Sequence, residues 1–322
     1  MKKDTILEIR NLTVDYNSDF GTVHALNSLT LSMSRGESLG FVGETGAGKT
    51  TTALEIMGLI PYPAGVTKSG EILFEGQDLL KMGKSKLRSI RGEKISMIFQ
   101  DPMTSLNPVM TVGDQIAESF RIHEKTGRAE AAQKAVRILE MVGIPGERYG
   151  EYPHQFSGGM KQRVVIAVAL SCNPTLLIAD EPTTALDVTI QAQVLDLIST
   201  LKKERGTSLL LITHDLGVVA EACDSVAIMY AGSVVEYGTL DDIYNRTSHP
   251  YTKGLFGSIP DIESDVDRLK PIPGLMPDPR DLPSGCAFAP RCTLSADECT
   301  LPGLGLVEIE TGHLVKCRKV RA

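Results

Sequence analysis

Polar and apolar residues alternate over residues 6–16 and again over 25–33, the period of strands with one exposed face, so the chain is predicted to open with an antiparallel flap. Residues 37–42 instead form a short, mostly apolar run without alternation, as a buried strand does, and 49–59 read as the helix that follows it. Further strands are expected at 70–74 and 95–99. Residues 112–124 and 128–142 place apolar side chains at helical spacing, with Gly143 and Pro145 as a stop, so residues from about 101 to 170 are expected to form an inserted all-helical lobe. Strand and helix then alternate through 175–179, 190–203, 208–213 and 216–223, the pattern of a parallel sheet covered by helices. After about Asn245 recurrent prolines, among them Pro250, Pro271, Pro273, Pro277 and Pro290, break up helices, and the remainder reads as a loop-rich second unit. The sequence shows no internal repeat or low-complexity tract.

Composition narrows the classes. The 322 residues suffice for one large domain with an appendage or for two domains, and the net charge of −7 offers nothing for wrapping nucleic acid. The longest strictly apolar run, residues 164–170, is far short of the roughly 20 residues a bilayer span needs. The polar opening Met1-Lys2-Lys3-Asp4 predicts a chain that stays in the cytosol, so any membrane role would need a partner.

Candidate chemistry lies at the junctions of these elements. Gly43-Glu44-Thr45-Gly46-Ala47-Gly48-Lys49-Thr50 fits GxxxxGK[ST], in which backbone N–H groups of a glycine-rich turn wrap phosphate oxygens, the lysine bridges the terminal phosphates and the hydroxyl ligates Mg2+. A strand before it and a helix after it aim the helix dipole at the phosphates. Leu176-Leu177-Ile178-Ala179-Asp180-Glu181 is an apolar strand ending in two acids, at the sheet edge where ligands of open parallel sheets sit. There Asp180 would hold Mg2+ and Glu181 would orient or deprotonate a water. Ser157-Gly158-Gly159 precedes an apolar helix, with serine as a favoured N-cap and glycines that let backbone approach an anion.

Taken together, this turn, Phe156-Ser157-Gly158-Gly159-Met160, Ala179-Asp180-Glu181-Pro182, Leu186-Asp187 and the lone late His214 resemble the ATP-binding cassette ATPases over roughly residues 5–240. The resemblance implies a head-to-tail dimer with ATP held between the phosphate turn of one subunit and the Ser157-Gly158-Gly159 helix of the other. Residue by residue, it implies that Tyr16 stacks on adenine and that Lys49 and the backbone of Thr45 to Thr51 bind phosphate. Thr50, Gln100 and Asp180 would reach Mg2+, Glu181 would be the catalytic base, His214 would contact the γ-phosphate, and Asp187 would lie in the loop crossing the dimer. Tyr16 is also open to a simpler role as a strand tyrosine packed on its sheet. Where the family usually has glutamine, this chain has Met160, which cannot supply an amide: either that contact is dispensable or this composite site works less well than its mate, which slightly favours a working dimer with a related second ATPase.

Four of the six cysteines, Cys286, Cys292, Cys299 and Cys317, cluster near the C-terminus, whereas Cys172 and Cys223 read as core residues. Their spacing matches neither usual zinc pairs nor standard ferredoxin runs, so chemistry alone leaves zinc, a 4Fe-4S cluster and free thiols open. Arg291, Lys316, Arg318 and Lys319 are expected to offset thiolate charge and lower those pKa values. The motifs His249-Pro250-Tyr251-Thr252, Ile259-Pro260, Pro271-Ile272-Pro273-Gly274 and Gly285-Cys286-Ala287-Phe288-Ala289-Pro290-Arg291-Cys292 resemble the C-terminal extension of oligopeptide and dipeptide importer ATPases. That resemblance implies a 4Fe-4S cluster on the four thiols, with zinc as the alternative.

The expected fold is α/β: a P-loop NTPase core with an antiparallel β subdomain, a helical lobe and a small loop-rich metal-binding extension, divided as 1–245 and 246–322. The expected role is the ATP-hydrolysing subunit of a peptide importer at the cytoplasmic face of the membrane. It would act with a second, related ATPase, two transmembrane permease subunits and, indirectly, an extracytoplasmic peptide-binding protein, and with no nucleic acid. A nickel or opine importer is the first alternative, and a soluble cassette ATPase outside transport the second.

Overall fold

The computed structural model describes residues 4–183, 188–258 and 271–320. Leu186, Asp187 and the Ile259-Pro260 pair of the sequence reading lie outside the described residues. In chain order the strands are β1 (Thr5–Ser18), β2 (Gly21–Ser34), β3 (Ser38–Val42), β4 (Gly65–Phe74), β5 (Gln77–Asp78), β6 (Ile95–Ile98), β7 (Leu176–Asp180), β8 (Ser208–Thr213), β9 (Ser225–Tyr230), β10 (Ser233–Thr239), β11 (Val307–Glu310) and β12 (His313–Val315). The helices are α1 (Lys49–Ile56), α2 (Lys84–Ile90), α3 (Pro102–Ser105), α4 (Val112–His123), α5 (Arg128–Met141), α6 (Gly158–Leu170), α7 (Val188–Arg205), α8 (Leu216–Ala222), α9 (Leu240–Tyr244) and α10 (Pro250–Gly257). Contacts group them into two compact units, one of Met1–Ile6, Ser34–Ser38 and Lys81–Ile212, the other of Leu7–Met33, Leu39–Leu80 and Thr213–Ala322.

In the first unit β6, β7 and β8 pair in parallel, with Ile95 opposite Leu176 and Leu177 opposite Leu209. All three strands are buried along their length, which is why they read as continuous apolar runs. Between β6 and β7 the chain is helical, as its periodicity predicts. Helix α4 buries Val112, Ile116, Ala117 and Phe120 along one stripe and packs on α5, which buries Ala131, Ala135, Ile138 and Leu139. Thr111 caps α4 by accepting from the Asp114 N–H at 3.2 Å, and Tyr149 Oη donates to the Asp114 carboxylate at 2.9 Å.

In the second unit β2, β1, β4 and β5 form the antiparallel sheet, with Leu7 opposite Phe74 and Tyr16 opposite Gly65. A second set of strands runs β11-β12-β10-β9-β3, in which β9 is parallel to β3 and the remaining pairs are antiparallel. The C-terminal region is therefore more regular than its prolines suggest. The hairpin of β11 and β12 adds to β10, pairing Glu236 with Val315 and Tyr237 with Leu314. Strands of three or four residues carry too short a pattern to read, and their pairing is decided by the edge they meet. Glu236 on β10 is fully buried, and its carboxylate accepts from the N–H groups of Ser248 at 2.7 Å and His249 at 3.1 Å, just before α10, and bonds His313 Nε2 at 2.9 Å. One acid thus ties the start of α10 and the terminal hairpin to the sheet.

Candidate functional site

The phosphate-type turn belongs to the second unit and links fully buried β3 to α1. Its glycines are required by space and by conformation. A Cβ on Gly43 would stand 2.4 Å from the Met229 carbonyl oxygen, and Gly48 adopts φ +100°, where its Cβ would meet the Ala25 carbonyl oxygen at 2.6 Å. No acidic residue lies in the first turn of α1, so the positive end of its dipole keeps its field for an anion. Lys49 is only 7 % exposed, and its Nζ donates to the carbonyls of Gly43 at 2.6 Å and Glu44 at 3.1 Å. Thr50 is exposed and Thr51 half-buried on the same helical turn.

His214 belongs to the same unit, exposed directly after β8, where Asp215 caps α8 by accepting from the Gly217 N–H at 2.8 Å. Tyr16 sits half-buried on β1.

The first unit brings together Gln100 and Glu181. Asp180 ends β7 at 2 % exposure, and Glu181, one residue on, holds φ at +47°, uncommon for a non-glycine residue and a form of strain that gathers at functional positions. Its N–H donates to the Ile212 carbonyl at 2.8 Å, and its Oε2 accepts from Gln100 Nε2 at 2.9 Å. Ser157 caps α6, its hydroxyl accepting from the Met160 N–H at 3.4 Å, while Gly158 is exposed. A Cβ on Gly159 would lie 2.7 Å from Ile190 Cγ2, which explains glycine there. Buried Gln162 on α6 donates to the Pro182 carbonyl at 2.6 Å, so the Ser157-Gly158-Gly159 helix and the segment after Glu181 are joined.

Two arginines were not given these roles by sequence reading. Arg148 covers the Phe156 ring at 4.3 Å in a cation–π contact and places Nη1 3.3 Å from Met160 Sδ, so the methionine at the glutamine position meets the same guanidinium through its sulfur. Arg291, expected to serve the thiols, instead forms an ion pair with Glu44 inside the phosphate turn. A pairing across such a sequence distance has no local pattern to signal it.

Cys286, Cys292, Cys299 and Cys317 line one pocket together with His249, Phe288, Arg318 and Lys319. All four carry free thiols, and Cys286 N–H donates to the Cys299 carbonyl at 2.8 Å. Burial pushes the Cys286 and Cys292 thiols up, against the lowering expected from nearby cations. Burial outweighs the lowering that Lys319 exerts on Cys292; Lys319 also pairs with Glu298 at 2.7 Å, and Arg318 donates to the Leu301 and Pro302 carbonyls. Among the described residues no three His, Cys, Asp or Glu side chains are arranged to hold a metal, so the metal-binding extension expected from sequence, whether with a 4Fe-4S cluster or with zinc, gains no support from the structure. Burial also holds the His249 ring down to about 4, leaving it neutral, with Nδ1 accepting from the Tyr251 N–H at 3.1 Å. Cys223 is in the core as expected, while Cys172 is half-buried.

Comparison with known proteins adds to this geometry. A family described as ABC transporter matches residues 26–184, and one described as Oligopeptide/dipeptide transporter, C-terminal region, matches residues 235–299. The chain is 48% identical over 319 residues to a probable peptide ABC transporter ATP-binding protein of Sinorhizobium fredii, covering 98% of this chain and 95% of the relative. It is 49% identical over 315 residues to the oligopeptide transport ATP-binding protein AppD of Bacillus subtilis, covering 97% and 96%. Among solved structures it is similar to a dimeric post-hydrolysis state of the ATP-binding cassette MJ0796 bound to ADP and Pi, at TM-score 0.66 and 27% identity over 73% of this chain and 98% of that one.

Proposed function

The chain belongs to the ABC transporter family of ATP-binding subunits, and we propose that it is the ATP-hydrolysing, energy-coupling subunit of an importer of dipeptides and oligopeptides. The observation that carries the substrate class is the likeness of residues 235–299 to the C-terminal region of oligopeptide and dipeptide transporter ATPases. Neither a nickel or opine importer nor a soluble cassette ATPase is favoured by any of the relatives named above.

In this reading residues 1–245 are the cassette and 246–322 the extension. Lys49 and the N–H groups of Thr45 to Thr51 bind the phosphates, and Tyr16 stacks on adenine. Thr50, Gln100 and Asp180 are oxygen donors of the kind a hard cation takes, so they would hold Mg2+, which offsets phosphate charge when bound. Glu181 takes a proton from the attacking water as its oxygen bonds to the γ-phosphorus and the bond to the β–γ bridging oxygen breaks, releasing ADP and phosphate. His214 contacts the γ-phosphate. Ser157, Gly158, Gly159 and Asp187 act on nucleotide held by a second, related ATPase subunit. Opening and closing of that dimer levers two permease subunits, which an extracytoplasmic binding protein supplies with peptide. Attachment at the cytoplasmic face would run through the permeases; no helix among the described residues is long and apolar enough to cross a membrane. Incorporated into liposomes with its permeases and binding protein, the subunit is expected to hydrolyse ATP several-fold faster when peptide is supplied, with peptide accumulating inside (roughly severalfold being a usual coupling effect). Stimulation by nickel or an opine and not by peptide would overturn the substrate class.

Cys286, Cys292, Cys299 and Cys317 would hold a 4Fe-4S cluster, a reading that rests on their lining one pocket and on the likeness of the C-terminal region, and such a cluster would tie their chain segments together. Protein purified without oxygen is then expected to carry about four irons and four acid-labile sulfides per chain, both lost on Cys286→Ser. Zinc without sulfide, or no metal, withdraws the cluster and leaves the ATPase untouched.

A further inference from the structure

Glu44 poses an electrostatic problem. It lies within the turn whose N–H groups are to receive phosphate oxygens, and an uncompensated carboxylate there repels the ligand. The compensation comes from far along the chain. Arg291, on the short turn Ala289–Arg291, donates from Nη1 to Glu44 Oε2 at 2.8 Å and from Nη2 to Oε1 at 3.1 Å, a two-pronged guanidinium–carboxylate pair. The arginine side chain is 6 % exposed and that of Glu44 30 %.

The rest of the guanidinium is fixed as well. Nε donates to the Pro273 carbonyl at 3.0 Å, Nη1 also reaches Tyr230 Oη at 3.3 Å, and the group lies 5.8 Å from the Tyr230 ring centroid. Glu44 is gripped at its backbone too, where its N–H donates to Tyr251 Oη at 3.1 Å. Tyr251 is fully buried and packs on Tyr230 and Phe288 at ring-centroid distances of 4.6 and 5.4 Å. Both the charge and the backbone of this turn position are therefore held by residues of the C-terminal region, and a buried, fully engaged arginine has little freedom to turn elsewhere.

We propose that Arg291 is a positioning residue for nucleotide binding: by fixing and neutralising Glu44 it keeps the phosphate turn receptive, so that the C-terminal region completes the ATP site. The inference rests on the ATPase reading above. It assigns the effect of Arg291 to affinity, because the pair acts on the turn that binds phosphate and neither residue is given a part in activating the attacking water.

The test is a double-mutant cycle on the full chain, reading MgATP binding by calorimetry together with kcat and KM for hydrolysis. Arg291→Met keeps the apolar stem against Tyr230 and Phe288 but removes the charge. It is expected to raise Kd and KM about tenfold while kcat changes less than about threefold. In a Glu44→Gln background the same change is expected to cost less than about threefold, and the wild-type-background effect should shrink at high salt. Arg291→Lys, which keeps charge and loses the fork, should fall between the two, and its own cycle with Glu44→Gln decides the question if the methionine variant does not fold. Equal losses in both backgrounds, or unchanged affinity in the folded variants, would make Arg291 a structural pin only and overturn the proposal. A wild-type chain that binds and hydrolyses no MgATP would instead sink the ATPase reading.

Discussion

Glu181→Gln is expected to slow ATP hydrolysis by about a hundredfold to ten-thousandfold while MgATP still binds, the range lost when a general base is removed. The substitution is close to isosteric, and the unusual φ of +47° at this position is set by the backbone around it, whose N–H donates to the Ile212 carbonyl. Gln100 Nε2 donates to Glu181 Oε2 at 2.9 Å, and the amide oxygen of glutamine accepts that bond equally well. What disappears is the capacity to take a proton from water. Because the phosphate turn around Lys49 is untouched, affinity for nucleotide stays near its wild-type value, and with the proposed second ATPase subunit present an ATP-bound dimer is expected to accumulate. Phosphate release, nucleotide retained on filtration, and the size of the protein with ATP check the three parts of this expectation. A variant that hydrolyses ATP within about threefold of the wild-type rate would remove Glu181 from the role of base.

Lys49→Ala is expected to weaken MgATP binding by about a hundredfold or more, since a charge-assisted hydrogen bond to phosphate contributes roughly 1.5–3 kcal/mol and the lysine is placed to make more than one. The change reaches further than the ligand. Nζ is nearly buried and closes the turn on itself through the Gly43 and Glu44 carbonyls, so losing it removes the internal tie as well as the cation. A drop in stability of about 1–2 kcal/mol without nucleotide is therefore expected beside the lost affinity. Lys49→Arg keeps the charge but offers a planar fork where a compact ammonium fits, and should recover only part of the binding. Calorimetric titration with MgATP, and thermal melting with and without it, separate the two effects. Affinity within about threefold of wild type would count against the assignment.

Much of the frame was legible because its signals are local. The continuous apolar runs of β7 and β8 read as buried strands, the stripe of Val112, Ile116 and Phe120 as a packed helix face, and Gly43 to Thr50 as a phosphate turn. Other features escaped because neighbouring residues do not encode them. The edge pairing of β12 on β10 depends on a surface that exists only once β9 and β10 have formed. The thiols were expected to be activated by nearby cations, yet burial raises Cys286 and Cys292, and Arg291, Lys319 and Arg318 also engage Glu44, Glu298 and backbone carbonyls.

By itself, then, the sequence determined most strands and helices as far as α8 and the residue types carried at their ends, since hydrophobic period, capping and glycine spacing act over a few residues. Only the tertiary structure decided which side chains meet: that Arg148 covers Phe156 and reaches Met160 Sδ, that Gln162 joins α6 to Pro182, and that Arg291 pairs with Glu44. Side chains find such partners through burial, where an unpaired charge is costly and the nearest counter-charge is set by packing and not by position in the chain.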